Sequence, residues 1–346
     1  MLQSAVFTSI LTCLNARIRT GSAPGHAPPV TGRHVPHGKR HGLAVTLLPD
    51  TPMGAGMLRG NRTLNYRHSY HAGNFADVMK HVMLVALIDM LRRKPSPFSI
   101  LDTHAGIGLY DLSGREAQST GEWREGIGRL LALPTDPATP PCLQQWLDMV
   151  RAVMAAHDGQ LFYPGSPVLA ARLLRPDDSL TCCELHHQDQ QSLRRLFRHD
   201  PAVSVHGRDG YEAITALLPP RHARRGLVLM DPPFEQPGEF DRLAQAIITA
   251  RRRFATGMIA AWYPIKHRAP TRAFLNTLKD AGQRNLLAIE LTLRPPLDPA
   301  RLNGSGLLIA NPPFQFEHTA RAVTAMLARH LGDGEAQASV EWVVPE

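Results

Sequence analysis

The tetrapeptide Asp231-Pro232-Pro233-Phe234 carries the clearest chemistry in the chain. It follows the apolar run Gly226-Leu-Val-Leu-Met230, which reads as a buried strand. Proline removes backbone donors and keeps the preceding residue extended. The result is a stiff turn that offers acceptors only, the Asp231 carboxylate and the Pro232 carbonyl. Both can converge on one –NH2 group. Phe234 adds an aromatic face, and stacking a base on such a face is worth about 1–3 kcal/mol in single-strand binders. This set suits methylation of an exocyclic amine. The adenine N6 lone pair is delocalised into the ring and attacks poorly. Two acceptors holding its hydrogens favour the pyramidal nitrogen that can attack an activated methyl carbon. Asp231 need not be a strong base, because it can take the proton after the amine has become cationic. Its charge also stabilises the transition state. A rigid Pro-Pro loop with no ligand is the blander reading, and the strand order weighs against it. Asn311-Pro312-Pro313-Phe314 repeats the pattern after the last strand-like run, so Asn311 is assigned a structural role and Asp231 the catalytic one.

Three earlier turns could hold the methyl donor. The first is Asp102-Thr103-His104-Ala105-Gly106-Ile107-Gly108, whose glycines allow close backbone approach. The third glycine of a dinucleotide fingerprint would fall at Asp111, which disfavours nicotinamide and flavin. No GxxxxGK[ST] run occurs, so there is no P-loop. A GxG turn alone is equally consistent with a plain strand-to-helix turn. Glu184, after the second strand, could accept both ribose hydroxyls of a nucleoside, or be an ordinary surface acid. Asp209, in Gly207-Arg208-Asp209-Gly210, could accept an adenine amine, or simply cap the next helix. Taken together, acids and glycines after three successive strands look like an S-adenosylmethionine pocket.

Helices and strands must place these turns together. Apolar residues from Phe75 to Leu91 recur at helical spacing, with Asn74 as cap and Pro95 beyond the end. Seven strand-like runs follow: 98–102, 179–184, 202–205, 226–231, 258–263, 286–291 and 306–311. Helical patterns at 188–198, 211–218, 240–254 and 271–281 separate most of them. Alternation of this kind predicts a doubly wound α/β domain with a seven-stranded, mostly parallel sheet. Ligands of such sheets bind at the carboxyl ends of the strands. The stretch of about 113–178 is too long for one crossover and reads as a helical insertion after the first strand. Within it, Leu143–Ala156 is helical, and Ser166-Pro167 looks like an N-cap followed by proline at the first helical position.

Composition sets the outer bounds. The chain has 346 residues, 43% of them hydrophobic, and a net charge of +8. No uncharged apolar run approaches the ~18 residues of a membrane span. The four cysteines form no CxxC pair, and Cys182 and Cys183 would face opposite sides of a strand, which fits a reducing cytosol. No HExxH spacing occurs, and no metal is expected. Residues 1–60 hold six cations against Asp50 alone, +5 of the total, and read as a disordered basic tail. The methyltransferase-like domain is expected over 64–346. Polyanion binding by the folded part is therefore less strongly implied than the bulk charge suggests.

Several segments resemble one family closely. They are Leu64-Asn-Tyr66-Arg-His68-Ser-Tyr-His71-Ala-Gly73-Asn74, Lys80-His81, Leu101-Asp-Thr-His104-Ala-Gly106, Tyr163-Pro-Gly-Ser166-Pro167, Glu184-Leu, Asp209-Gly210, Asp231-Pro-Pro-Phe234 and Trp342-Val-Val-Pro-Glu346. In this order they resemble the RlmJ family, the 23S ribosomal RNA adenine(2030)-N6-methyltransferases, from about Leu64 to the end. The opening segment and the Asp-Thr-His-Ala-Gly turn are more specific than Asp-Pro-Pro-Phe, which amino-methyltransferases share broadly. The resemblance implies a class I, Rossmann-like methyltransferase fold with a small helical insertion, acting in the cytoplasm as a monomer. It implies that His81, His104, Ser166, Glu184, Asp209, Gly210 and Asp231 contact S-adenosylmethionine. It implies that Asp231 is the catalytic acceptor and that Tyr66 meets the 23S RNA, and the turn chemistry adds Pro232 and Phe234 as substrate contacts. Phenylalanine at 234 often stands where related motifs have tyrosine, so a hydroxyl is lost and stacking remains. Arg67, Arg221, Arg224, Arg225 and Arg251–Arg253 are candidates for phosphate contacts. A DNA adenine methyltransferase, a protein glutamine methyltransferase or a non-catalytic RNA-binding assembly factor are the alternative readings.

Overall fold

The computed structural model describes residues 67–134 and 136–346. The basic tail and Tyr66 lie outside the described residues. The main sheet is built from β1 (Ser99–Asp102), β4 (Ser179–Cys183), β5 (Val203–His206), β6 (Gly226–Met230), β7 (Met258–Ile265), β8 (Leu286–Thr292), β9 (Gly304–Ala310) and β10 (Gln337–Val344). Its order is β10-β8-β9-β7-β6-β1-β4-β5. The five strands β5 to β7 along that order are parallel to their neighbours. β9 runs antiparallel to both β7 and β8, and β10 antiparallel to β8. The chain leaves β1 for β4 and β5 on one side and returns to β6 on the other. That reversal makes the carboxyl edge around β1 and β6 the natural ligand crevice.

The helices follow from patterning. α1 (Phe75–Arg92) is apolar nearly all round, and it is buried nearly all round, from Phe75 through Ile88. Asn74 caps it as expected, its Oδ1 accepting from Ala76 N–H and Asp77 N–H at 3.0 Å each. α2 (Arg115–Thr120), α3 (Arg129–Leu131) and α4 (Pro141–Ala155) follow β2 (Leu109–Asp111). Next come β3 (Phe162–Pro164), α5 (Ser166–Leu173), α6 (His187–Leu196), α7 (Gly210–Leu217), α8 (Glu239–Arg253), α9 (Arg268–Asp280) and α10 (Phe316–Leu331). Two apolar layers sandwich the sheet. One packs α1, α4, α5, α6 and α10 against one face, and the other packs α7, α8 and α9 against the opposite face. Cys182 joins the first layer and Cys183 the second, as strand alternation requires. No described helix is long and apolar enough to cross a membrane.

Two expectations need correction. The sheet has eight strands, not seven. β10 is an edge strand in which Val340 alone is fully buried, so its sequence lacks the apolar run that marks an interior strand. The segment between β1 and β4 is not wholly helical either. β2 and β3 pair there as a separate antiparallel ribbon, with Tyr110 opposite Tyr163. Three residues per strand are too few to display a period. Replacing Asn74 with Ala removes the α1 cap and should cost about 1 kcal/mol of stability in urea unfolding. An unchanged midpoint would show that the cap does not hold the helix start.

Candidate active site

Asp231 sits where β6 ends, and its carboxylate is gripped from below by α1. Lys80 reaches out of that helix and ion-pairs with Asp231 Oδ2 and with Asp77 Oδ1, the latter at 2.7 Å. Asp77 is itself saturated: its Oδ2 accepts from Gly73 N–H at 3.0 Å and lies 2.8 Å from His68 Nε2. Lys80 and Asp77 are buried, and Asp231 is partly so. Burial alone would lower the lysine's pKa, but the two carboxylates override it and raise it. Burial alone would raise that of Asp77, yet the charges of His68 and Lys80 hold it well below the ordinary range. The lysine is therefore a fixed cation and keeps Asp231 beside a full positive charge. Oδ1 of Asp231 takes no hydrogen bond among the described residues, so one acceptor oxygen is left for another ligand. Pro232 follows, buried. Phe234 has φ 53°, a left-handed conformation that turns the chain sharply away. Its partly exposed ring meets Phe240 at 4.8 Å and Trp262 at 5.7 Å, both steeply inclined, so neither lies flat against it.

The turn after β1 needs its glycines. Gly106 and Gly108 have φ 61° and 79°. A Cβ on Gly106 would come within 2.2 Å of the Tyr110 hydroxyl. Asp102 starts this turn and is buried. Its Oδ2 accepts from Ser166 Oγ at 2.6 Å, and its Oδ1 from His104 N–H at 3.3 Å. Burial pushes its carboxyl up to about 7, and the nearby Asp231 adds to the shift, while the Ser166 bond opposes it. Ser166 therefore does not cap α5, as its sequence suggested. It is the first helical residue, Gly165 is the cap, and the serine hydroxyl is committed to Asp102. His104 Nδ1 lies 2.8 Å from Thr103 Oγ1, whose own proton goes to Leu229 O at 3.0 Å. The tautomer that lets Thr103 keep its bond to Leu229 O puts the imidazole proton on Nδ1 and a lone pair on Nε2. Burial drops His104 to about 4, so the ring is neutral. His81 is likewise neutral, lowered by burial to about 3, with Nδ1 2.7 Å from the Tyr163 hydroxyl.

Glu184, after β4, folds back on the glycine turn. Its Oε2 accepts from Gly106 N–H at 2.8 Å and its Oε1 from His186 N–H at 2.7 Å. Each oxygen keeps a second lone pair, so the carboxylate can still accept two hydroxyls. Asp209 caps α7, Oδ1 accepting from Tyr211 N–H at 2.7 Å and Glu212 N–H at 3.2 Å. Its Oδ2 has only Arg242 Nη2 at 3.5 Å. The cap and the acceptor readings are thus compatible, one oxygen for each. Gly210 has a packing reason: a Cβ there would lie 2.2 Å from the Thr103 carbonyl oxygen. Glu184, Asp209 and Asp231 lie beyond the carboxyl ends of parallel strands, around the turn that β1 begins.

Two residues of the site escaped sequence reasoning. Lys80 was visible only as part of a Lys-His pair on a helix flank. Asp102 was read as the acid ending a strand and given no role. The signal for Lys80 was a lysine within an almost wholly apolar helix, three residues after Asp77. Asn311 lies at the opposite edge of the sheet, because β9 runs against β7. Its amide donates to Ala255 O and Gly257 O at 2.9 and 3.0 Å, a structural assignment. Arg221, Arg224, Arg225 and Arg251–Arg253 lie at that far edge too, at the starts of β6 and β7. Among the phosphate candidates, Arg67 is elsewhere, bonded to Gln188 Oε1 at 2.6 Å near the start of α6.

A sheet of this order, with glycines and acids at the carboxyl ends and an Asp-Pro-Pro-Phe turn beside them, defines a class I S-adenosylmethionine-dependent methyltransferase. Residues 95–344 match the family described as ribosomal RNA large subunit methyltransferase D, RlmJ. The chain is 40% identical over 284 residues to ribosomal RNA large subunit methyltransferase J of Haemophilus influenzae, covering 82% of this chain and 100% of that one. It is 40% identical over 285 residues to the protein of the same name from Escherichia coli, with the same coverage. A crystal structure of a Legionella pneumophila protein superposes with a TM-score of 0.71 at 34% identity, covering 79% of this chain and 98% of that one. The chain belongs to the RlmJ family of ribosomal RNA large subunit methyltransferases.

The site yields two predictions. Lys80→Met leaves Asp77 and Asp231 without their shared cation and should cost about 3–5 kcal/mol in urea unfolding. A loss below about 1 kcal/mol would mean the ion pairs are dispensable. Asp102 has a raised native pKa, so the native state holds its proton more tightly than the unfolded chain does. Its contribution is intact below about pH 4 and erodes as pH rises through about 7. Asp102→Asn should therefore gain stability relative to the parent between these values and level off above pH 7, in melts run in parallel. A constant difference across that range would refute the raised pKa.

Proposed function

We propose that the chain methylates N6 of an adenine in 23S ribosomal RNA, at the position the RlmJ resemblance implies. On this reading it is a cytoplasmic monomer that takes protein-free RNA or an early assembly intermediate. The observation that carries the proposal is Asp231: a carboxylate fixed through Oδ2 by a buried lysine, with Oδ1 unengaged, on a Pro-Pro turn that supplies only acceptors.

The residues present fit the methyl donor. Left-handed glycines put bare backbone at the mouth of the β1 turn. Glu184 keeps lone pairs for two ribose hydroxyls, and Asp209 Oδ2 for an adenine amine. His81, His104, Ser166 and Gly210 are the other residues assigned to this pocket. His104 is neutral and offers an acceptor nitrogen. Ser166 acts through Asp102, which its hydroxyl orients. Bound S-adenosylmethionine supplies a methyl group activated by a sulfonium.

On the substrate side, the target base leaves its stack, at a cost of a few kcal/mol, and enters beside Phe234. Asp231 Oδ1 and Pro232 O accept the two hydrogens of the amine and turn its lone pair toward the methyl carbon. Attack would form the N–C bond as the sulfonium S–C bond breaks and the neutral thioether leaves, and the cationic nitrogen would then give a proton to Asp231. Lys80 holds that carboxylate in place until then. Tyr66 would contact the RNA from the start of the domain.

The test is methyl transfer from labelled S-adenosylmethionine to protein-free 23S RNA, followed by nucleoside analysis. The parent should yield N6-methyladenosine, and Asp231→Ala should lose at least about 100-fold in kcat. Equal transfer by the variant would remove Asp231 from the reaction, and another methylated nucleoside would overturn the N6 assignment.

A further inference from the structure

The amino-terminal edge of the parallel strands, opposite Asp231, holds a second set of residues suited to a polyanion. Phe314 stands there 88% exposed. The loop that presents it is firmly fastened. Asn311 has φ 54°, its N–H donates to Asn285 O at 3.0 Å, and its amide ties down Ala255 and Gly257. Two prolines restrict what remains, and Phe316 N–H donates to Pro313 O at 3.0 Å. The fastening fixes the backbone, while a ring so exposed packs little against the described residues.

Cations lie along the same edge, and backbone bonds link some of their neighbours to this loop. Ala255 and Gly257 lie two and four residues after Arg253. Thr256 Oγ1 donates to Arg224 O at 2.7 Å. Arg225 donates to Ser96 O at 2.9 Å and so reaches the Arg93-Lys94 turn. Some of these groups are structural: Arg225 also holds Leu91 O, and Arg253 holds Leu218 O. Arg93, Lys94, Arg221, Arg224 and Arg252 are exposed and form no ion pair among the described residues. The helix dipole accounts for Arg93 and Arg252 at helix ends. It does not account for Lys94, Arg221 and Arg224, which lie in loops.

We propose that this edge is a second RNA-docking surface, which holds the phosphates of a single-stranded segment and stacks one of its bases on Phe314. Six extended steps through β6 put about 20 Å between Arg225 and Asp231, so one nucleotide cannot touch both edges. A long folded RNA can. Cations without an ion pair select phosphates, and an exposed ring on a fastened backbone accepts the face of any base. A single ring is too little apolar surface for a membrane. The identity of the natural ligand rests on the ribosomal RNA reading above; the surface itself does not.

Binding without cofactor tests it, using protein-free 23S RNA and a short hairpin cut from around the methylated adenine. Arg224→Gln combined with Arg252→Gln should weaken 23S RNA binding about tenfold and flatten its log–log salt slope by about 2. Phe314→Ala should weaken it at least about fivefold with the slope unchanged. Methylation of the hairpin should stay at the parental rate in both variants, which also shows that they fold. Unchanged affinity for the long RNA overturns the proposal, as does an equal loss on the hairpin. A parent dimer that Phe314→Ala dissociates in light scattering would make the ring a contact between copies instead. A parent that binds both RNAs but methylates neither would reject the proposed function and leave the binding comparison standing.

Discussion

A single buried ammonium organises the carboxyl edge of the parallel strands. Lys80 cannot leave the protein interior without exposing two carboxylates to each other. Asp77 cannot leave without stripping Gly73 and His68 of a partner. The site therefore joins the start of α1 to the end of β6 by charge as well as by packing. This arrangement is costly as a stabilising device, because desolvating three charges consumes most of what their attraction returns. Its value is positional. Asp231 is partly open to solvent, yet one oxygen is fixed, so the other points in a defined direction.

The same economy runs through the neighbouring turns. Glu184 spends one lone pair per oxygen on backbone N–H groups and keeps the others. Asp209 spends one oxygen on a helix cap and keeps the second. Asp102 is tied by Ser166 and by His104 N–H at the centre of the turn. In each case a structural bond fixes the orientation of a group that retains bonding capacity. Capping and ligand binding are thus not rival explanations here. The structural bond pre-orients the functional one, which lowers the ordering cost when a ligand arrives.

The two Pro-Pro-Phe turns show how context separates identical chemistry. Both follow strands of the same sheet, but β9 runs opposite to β7. Asn311 therefore emerges among strand beginnings and helix ends, where its amide is consumed by two carbonyls. Asp231 emerges among strand ends, where glycines leave room. Phe234 turns in against other aromatics, and Phe314 turns out into water.

Local patterning fixed a good deal. The period of α1, its Asn74 cap, the alternation of strands with helices and the acids at strand ends were all legible, because each depends on near neighbours along the chain. The sequence also carried the family resemblance, and with it a set of candidate residues. What it could not carry were partnerships across the fold. That Lys80 meets Asp231, 151 positions away, or that Ser166 serves Asp102 rather than its own helix, depends on how α1 and α5 pack on the sheet. Edge strand β10 and the β2–β3 ribbon were hidden for a related reason. They bury too little, or run too briefly, for periodicity to mark them, and they exist because a neighbouring strand supplies their hydrogen bonds. Residue types declared the chemistry available to this chain, and only the three-dimensional packing decided which groups were already spoken for.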